Sequence, residues 1–443
     1  MKNLSKYLTM LLPLVIIVLG GGWWFLATSG EREKPTIKFA EDVRSIGRQK
    51  TINLTFADNK AGLRNISVSL IQDNKAHILA ANDFPQKGIK EKPLSLTVAP
   101  QALKLHDGPA TLSVLATDHS LFRNVTALVR PVTIDLTPPQ IYLLTPTNNI
   151  NPGGTCVIAY RTSEPTVMNG VQVDKNFSSG YPATFSGKQA NVAYFGLPMI
   201  SKGGGVNIRV FGRDAGDNET SVGLPSLIRN KKFRSDKMNL NDNFINRVAQ
   251  DFQPLPPELQ GKTPFEVFLH INSTMRLANE THIRELCRQS VPQQLWEGTF
   301  IRMKNASPMA QFGDQRTYIY NKQVVGESVH NGVDLASLAN SPVEASNNGI
   351  VKFTGNLGIY GNTVLIDHGQ GIFSIYGHLS VVDAKVGQHL KKGDVIGKTG
   401  TTGLAGGDHL HFGMLAGGQF VNPVEWWDPH WIADNVTNKL TAF

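Results

Sequence analysis

The sequence has very few cysteines: two in 443 residues, Cys156 and Cys287. So few thiols exclude a disulfide-stapled scaffold and any cysteine-rich zinc module. Cys287 falls in a segment with helical periodicity, so we expect it to be a buried apolar side chain. A disulfide to Cys156 remains an alternative in an oxidising compartment, and it requires two domains in contact.

The sequence also has only a small excess of positive over negative charge. Lys and Arg number 43 against 35 for Asp and Glu, a formal net charge of +8, and no block of five or more basic residues occurs. We therefore expect no nucleic-acid partner. Charged residues make up 18% of the chain and hydrophobic residues 41%, which excludes a largely disordered protein. The length predicts two to four domains.

A single uncharged run is long enough to cross a membrane. It covers residues 7–27, about 31 Å as a helix, and follows Lys2 and Lys6. This pattern predicts a transmembrane signal anchor over residues 1–30, with a cleaved signal peptide as the alternative. The expected location is the inner (cytoplasmic) membrane, crossed once, with the body in the periplasm or extracellular wall space.

Residues 36–229 show the alternation of β-strands and no long helical period. The clearest stretches are 51–56, 66–71, 110–116, 156–161, 191–195 and 206–213. A faint repeat adds to this, because Asp118 and Asp214, 96 residues apart, each end a strand before a polar turn. The pattern predicts two immunoglobulin-like β-sandwiches, 36–137 and 138–229, that act as a spacer or bind wall or protein.

Residues 230–299 change to a helical pattern. Phe244, Val248 and Phe252 are spaced by four, and Thr263-Pro264 reads as the start of a second helix. A third helix is expected over 282–287. We predict a short helical segment that serves as a linker or as a regulator covering the groove of the next domain.

Residues 300–433 are rich in β-pattern and glycine. A hairpin is expected between 364–367 and 371–376, around His368. The fold class predicted for the whole chain is therefore mainly β: membrane anchor, two sandwiches, short helical segment and C-terminal antiparallel β domain.

Three histidine clusters in this last region carry chemistry. A bend into a strand would bring His330 and Asp334 together, and His409 and His411 would share one face of a strand. His378 ends another predicted strand. Three ligands with one open position is the arrangement of catalytic zinc, so His330, Asp334 and one of the last pair are candidates. His368, His389 and His430 have no comparable partners and are predicted to be surface or turn residues.

The region from about Met309 to Trp427 resembles the lysostaphin-type (LytM-like) zinc metallopeptidases of bacterial walls. The matching stretches are HNGVDLA, VEASNNGIV, GIYGNTVLIDHGQG, YGHLS, VGQHLKKGDVIGKTGTTG and GGDHLHFGM. The resemblance implies a small antiparallel β-fold with a groove running across one Zn²⁺. It makes the ligands His330, Asp334 and His411, the catalytic histidines His409 and His378, and the groove residues Tyr360 and Asn362.

The resemblance implies a zinc-dependent endopeptidase that hydrolyses peptide cross-links of peptidoglycan through a zinc-activated water. Activity is expected to fall as the pH drops through about 6, because neutral imidazoles are needed. The main alternative is a catalytically silent relative that activates or scaffolds wall hydrolases, although no ligand is missing. A biotinyl or lipoyl carrier lacks its modified lysine here, and a purely adhesive protein would hold no metal.

Overall fold

A computed structural model describes residues 18–23, 32–145, 148–199 and 205–441. Among these residues no helix is long and apolar enough to cross a membrane. The predicted anchor over residues 1–30 lies almost entirely outside the described residues and stays a prediction. The described chain is mainly β with few helices, as expected. It divides into one compact unit of 1–139, 164–167 and 213–220 and a second unit of the remaining residues.

In the first unit two sheets share one apolar core. Strand Lys50–Ala57 directs every second side chain into this core. Ile52, Leu54 and Phe56 are buried, whereas the residues between them are not. One sheet has the order Thr36–Phe39, Lys50–Ala57, Glu91–Val98, and the other the order Ser45–Ile46, Val125–Ile134, Gly108–Asp118, Leu63–Gln72, Lys75–Asp83. A short 3₁₀ turn, Pro100–Leu103, precedes Gly108–Asp118.

Residues 141–223 form two four-stranded sheets around a second core. Their orders are Tyr181–Phe185, Lys188–Gly196, Thr155–Thr162, Ile141–Leu143 and Asn176–Ser179, Met168–Val173, Ile208–Arg213, Glu219–Gly223. Asn149–Ile150 pairs separately with Leu227–Ile228.

The repeat of acidic turns is confirmed. The Asn124 amide donates to Asp118 at 2.8 Å, and the Asn218 amide donates to Asp214 at 2.9 Å. In each turn the aspartate also accepts from backbone N–H groups that follow it, which fixes the same local geometry in both.

The helical segment, residues 242–286, begins with helix Asp242–Asp251, which Asn241 caps through the Phe244 N–H. The second helix starts at Pro264 after Thr263, as the sequence predicted. The structure adds a capping box between Thr263 and Glu266. The separation of the second and third predicted helices is wrong. A π-helical turn joins them into one continuous rod made of Pro264–His270, Ile271–Met275 and Arg276–Leu286.

A short strand, Ser235–Asn239, lies inside the region predicted to be helical. It pairs in parallel with Gln315–Tyr320, which forms a hairpin with Gln323–Val329. The sequence SDKMN carries no apolar alternation, so only the pairing with a distant strand makes it β.

Residues 307–421 contain an eight-stranded sheet. Its order is Ser307–Ala310, Val333–Ala336, Leu410–Ala416, Ile372–Leu379, Asn362–Asp367, Gly349–Asn356, His389–Leu390, with Gln419–Val421 added beside Leu410–Ala416. The predicted hairpin is confirmed, with Asp367 opposite Phe373. Three short strands, Pro342–Glu344, Val395–Lys398 and Val381–Val382, form a side sheet. The chain closes with helical turns Pro423–Trp427, Pro429–Ile432, Ala433–Thr437 and Asn438–Thr441.

The second pair of sheets packs directly on this region. The Trp426 indole N–H donates to Thr155 Oγ1 at 3.1 Å, and the Trp426 ring contacts those of Tyr194 and Trp296. Residues from both parts therefore share one apolar core. A fragment starting after residue 230 would lose part of that core.

The structure corrects one histidine prediction. His368 is fully buried, held between the Asn348 carbonyl and Ser374 Oγ at 2.7 Å each, and burial lowers its pKa to about 4. Its neighbours in the hairpin close over it, which a local pattern cannot indicate. His389 and His430 are exposed as predicted. Both cysteines are buried and free, so the burial of Cys287 is confirmed.

Candidate metal centre

Three side chains converge at one edge of the main sheet. His330 follows strand Gln323–Val329, and the chain bends before Asp334 in Val333–Ala336. His411 lies opposite Asp334 on the neighbouring strand. His330 Nε2 and His411 Nδ1 each lie 3.0 Å from Asp334 Oδ1 and 3.1 Å from each other. The bend predicted from the sequence is present.

These three atoms fit a divalent metal. Two ligands of a tetrahedral zinc ion, each about 2.0–2.1 Å from it, lie about 3.3 Å apart, close to the observed separations. The Gln311 carbonyl lies 3.0 Å from His330 Nδ1 and holds the N–H there, so His330 Nε2 presents its lone pair. All three residues are buried and form a group that could hold a metal ion.

Electrostatics favour this donor set. Burial by itself raises the pKa of Asp334, but contacts with His330, His409 and His411 hold it well below its usual range. Burial lowers the pKa of His411 to about 4, despite its contact with Asp334. At neutral pH the group therefore offers a carboxylate and a neutral imidazole, the forms that bind metals.

Gly332 allows the close approach. A Cβ atom at this position would lie 2.6 Å from both His411 Nε2 and the Phe412 carbonyl oxygen. Any larger residue would push His411 out of line with Asp334, so the glycine in the HNGVD stretch is a packing requirement.

His409 and His378 stand beside the three residues. His409 Nε2 lies 3.5 Å from Asp334 Oδ1, and the His409 and His378 rings have centroids 4.7 Å apart. Backbone carbonyls of Gly407 and Thr402 lie 2.7 Å from their Nδ1 atoms and fix the N–H there. Each neutral ring therefore keeps an unprotonated Nε2.

The two rings differ in proton affinity. Burial, with the neighbouring His409 and His411, lowers the pKa of His378 to about 3. Burial also lowers the pKa of His409, but the contacts with Asp334 and the Gly407 carbonyl outweigh it and raise the pKa overall. His378 also holds a left-handed backbone, φ +63°, which is strained for a histidine and typical of functional sites.

The two predicted groove residues, Tyr360 and Asn362, lie in different places relative to the cavity. Tyr360 is buried and lines the cavity, with its ring edge-on to His411 at a centroid distance of 5.3 Å. Asn362 does not line the cavity. Its side chain donates to the Leu379 carbonyl and ties two strands together beneath the site.

The site opens into a cavity of about 520 Å³ with two walls. We call the lining residues between 330 and 411 the inner wall. The outer wall comes from earlier parts of the chain. The sequence predicted a contact with the groove only for the helical segment, as the alternative to a linker. The outer wall consists of Arg234, Asp236, Met238, Phe244, Phe268, Arg276, Met309, Ala310, Asp314, Arg316 and Tyr318. The only signal for it was that the helical segment directly precedes the domain.

Two polar contacts join the helical segment to the inner wall. The Asn331 amide donates to Glu280 at 2.9 Å, and the Ile359 N–H donates to Asn279 at 2.9 Å. Burial raises the pKa of Glu280, against the opposing influence of nearby arginines. The segment thus forms a fixed side of the cavity.

Residues 328–423 match the family model described as Peptidase family M23. The chain is 43% identical over 96 residues to the DD-carboxypeptidase/endopeptidase Mpg of Neisseria meningitidis serogroup B, 22% of either chain. It is 36% identical over 116 residues to the peptidoglycan DD-endopeptidase ShyA of Vibrio cholerae, 26% of either chain. The match thus spans about a quarter of these relatives. A putative peptidase M23 from Pseudomonas aeruginosa aligns with a TM-score of 0.38 and 21% identity, over 64% of this chain and 95% of that one.

Proposed function

We propose that this chain, whose residues 328–423 are a Peptidase family M23 domain, is a zinc-dependent endopeptidase that hydrolyses peptide cross-links of bacterial peptidoglycan. The observation that carries the proposal is the convergence of His330, Asp334 and His411, with His378 and His409 facing the same cavity. A complete ligand set disfavours the alternative of a silent activator or scaffold.

The metal would be held by His330 Nε2, Asp334 Oδ1 and His411 Nδ1. When bound, zinc supplies Lewis-acid polarisation of the peptide carbonyl and lowers the pKa of a water ligand to about 7. The Gln311 carbonyl keeps His330 in the required tautomer, and Gly332 keeps His411 in place.

His378 and His409 would move the protons. The Thr402 and Gly407 carbonyls hold the N–H at Nδ1 of His378 and His409, so each ring presents its Nε2 beside the three ligand residues. One of the two would accept a proton from the attacking water, and the other would stabilise the oxyanion or give a proton to the leaving amine. Tyr360, edge-on to His411, would keep that ring from rotating.

The two named relatives support a DD cross-link as the substrate, such as D-alanyl–diaminopimelate. We also propose that the body is exported behind an N-terminal anchor. In the first unit, the three-stranded sheet has the strand order A, B, E of an immunoglobulin domain. The three central strands of the other sheet have the order G, F, C of such a domain. This order supports an immunoglobulin-like spacer. The helical segment would act as part of the substrate cavity, and a separate protein regulator stays a prediction.

The test is digestion of purified peptidoglycan by the full-length protein, followed by mass spectrometry of the released muropeptides. Cross-linked dimers should disappear with the wild type and with His389→Ala, which removes an exposed histidine. His409→Ala should slow the loss by about 10²–10⁴-fold while zinc remains bound. Intact dimers with the zinc-loaded wild type would instead support the silent scaffold.

A further inference from the structure

Arg316 belongs to the outer wall and forms an ion pair with one of the candidate metal ligands. It lies on strand Gln315–Tyr320, lines the cavity and has 26% of its side chain exposed. Its Nη2 lies 3.7 Å from Asp334 Oδ2. His330, His409 and His411 all contact the other oxygen of Asp334, Oδ1.

The donors of Arg316 are uncommitted, in contrast to those of its neighbours. Within the described ranges its guanidinium makes an ion pair with Asp334 and no hydrogen bond. Arg276 donates to Asn272 at 3.0 Å, and Arg234 is largely exposed and paired with Asp236. A guanidinium offers five N–H donors in a planar fork that matches a carboxylate. Arg316 therefore has an unused carboxylate-binding face in the cavity.

We infer that Arg316 is a specificity residue that binds a free α-carboxylate on the amino acid supplying the leaving amine. This inference rests on the proposed function, since it names which cross-links that site would accept. Arg316 is close enough to Asp334 that only a group within about one residue of the cut bond reaches it. On the carbonyl side of that bond the carboxyl group is consumed in the amide.

The chemistry of the cross-link then selects the substrate class. In a D-alanyl–diaminopimelate cross-link the carbon bonded to the scissile nitrogen carries a free carboxylate. A glycine bridge carries no charge at that place. The uncommitted guanidinium therefore fits the first class, and amidation of that carboxylate would remove its partner.

A competing role for Arg316 is to position Asp334. The effect of an Arg316 substitution distinguishes the two roles. A positioning residue would affect every substrate equally and would weaken metal binding, whereas a carboxylate-binding residue affects only substrates that carry the carboxylate.

The experiment uses full-length protein and two cross-linked muropeptides that differ only in a free or amidated α-carboxylate beside the scissile nitrogen. The wild type should prefer the free acid by about 10–100-fold in kcat/KM, the effect of one charge-assisted hydrogen-bond pair. Arg316→Gln should remove this preference, mainly through a higher KM for the acid. Its rate on the amide and its zinc content should be unchanged.

Lys237→Gln is the matched control. Lys237 is exposed and pairs in register with Thr317, the residue after Arg316. Its side chain therefore lies on the face of the small sheet opposite to that of Arg316, and the substitution removes a cation from that other face. It should leave the preference intact. A wild type without preference, or an Arg316→Gln variant that loses zinc and slows on both muropeptides alike, would overturn the inference.

Binding measurements keep this outcome apart from failure of the proposed function. If the wild type cuts neither muropeptide yet binds the acid form about tenfold tighter through Arg316, the carboxylate site stands and the endopeptidase proposal falls. If neither cleavage nor preferential binding is seen, both fall.

Discussion

The candidate metal ligands of the inner wall are buried and in contact with one another, whereas the arginines of the outer wall contact different partners and are partly exposed. His330, Asp334 and His411 are each less than 10% exposed. Arg316 is 26% exposed and Arg234 63%. One wall is fixed by mutual contacts, and the other keeps donors available to a ligand.

This difference suggests a division of labour. Catalytic groups gain most from being held rigidly before the substrate arrives, because no reorganisation is then needed in the reaction. Groups that choose a substrate must instead have open donors. The inner wall lies within the family match at 328–423, and the outer wall precedes it. The chemistry can therefore be retained while the outer wall changes with the substrate.

The largest effect should come from breaking the inner wall. His411→Ala removes one of three converging ligand atoms, so zinc should no longer copurify and activity should fall by about 10³-fold or more. Metal analysis and muropeptide assays on the same preparation check this. His409→Ala, which leaves all three atoms in place, should keep its zinc.

Full zinc occupancy in His411→Ala would contradict the assigned ligand set. It would also mean that the contacts among His330, Asp334 and His411 serve a role other than metal binding.

A second, smaller effect should come from the outer wall. Phe268 is 1% exposed, and its ring packs edge-on against Tyr318 and Phe244, with centroids 5.7 and 6.0 Å away. Phe268→Ala should lower the free energy of unfolding by about 3–5 kcal/mol. Denaturant unfolding measures it, with the exposed Leu277→Ala in the same helical rod as the control. If Phe268→Ala kept the wild-type free energy of unfolding and cleaved the substrate faster, the helical segment would be a cover that the fold does not need.

The inner wall could be predicted because short motifs encode it. The bend at Asn331–Gly332 and the two-residue spacing of His409 and His411 fix directions locally, so the sequence indicates that these side chains can meet. The choice of His411 as the third ligand and the role of His378 came from the resemblance. The assignment of Asn362 to the groove came from the resemblance and stays a prediction, because its position beside Tyr360 does not fix where its amide points. It turns to the Leu379 carbonyl on the adjacent strand.

The sequence offered the helical segment as a possible cover of the groove but could not predict which residues line the outer wall, because that depends on contacts between distant parts of the chain. The hairpin that carries Arg316 pairs with Ser235–Asn239, a strand without a recognisable pattern. The π-helical turn at Ile271–Met275 joins helices that periodicity treats as separate. Burial of His368 likewise depends on the Asn348 loop, which is remote in sequence.

The smallest effect should appear where the helical segment meets the inner wall, at the hydrogen bond from Asn331 to Glu280. Burial raises the pKa of Glu280 above its ordinary value of 4.5. The unfolded chain therefore ionises first as the pH rises through that value, and the folded protein loses stability until Glu280 also ionises. Glu280→Gln keeps an acceptor for Asn331 without the charge, so this loss should vanish.

Thermal unfolding of both proteins between about pH 4 and 8 measures the difference. The variant should match the wild type in acid and exceed it at neutral pH, while the exposed Glu285→Gln tracks the wild type throughout. Activity should change little, because Asn331 keeps its partner. A tenfold loss of activity in Glu280→Gln would mean that the charge at this junction helps to set the inner wall. The two walls would then work as one unit.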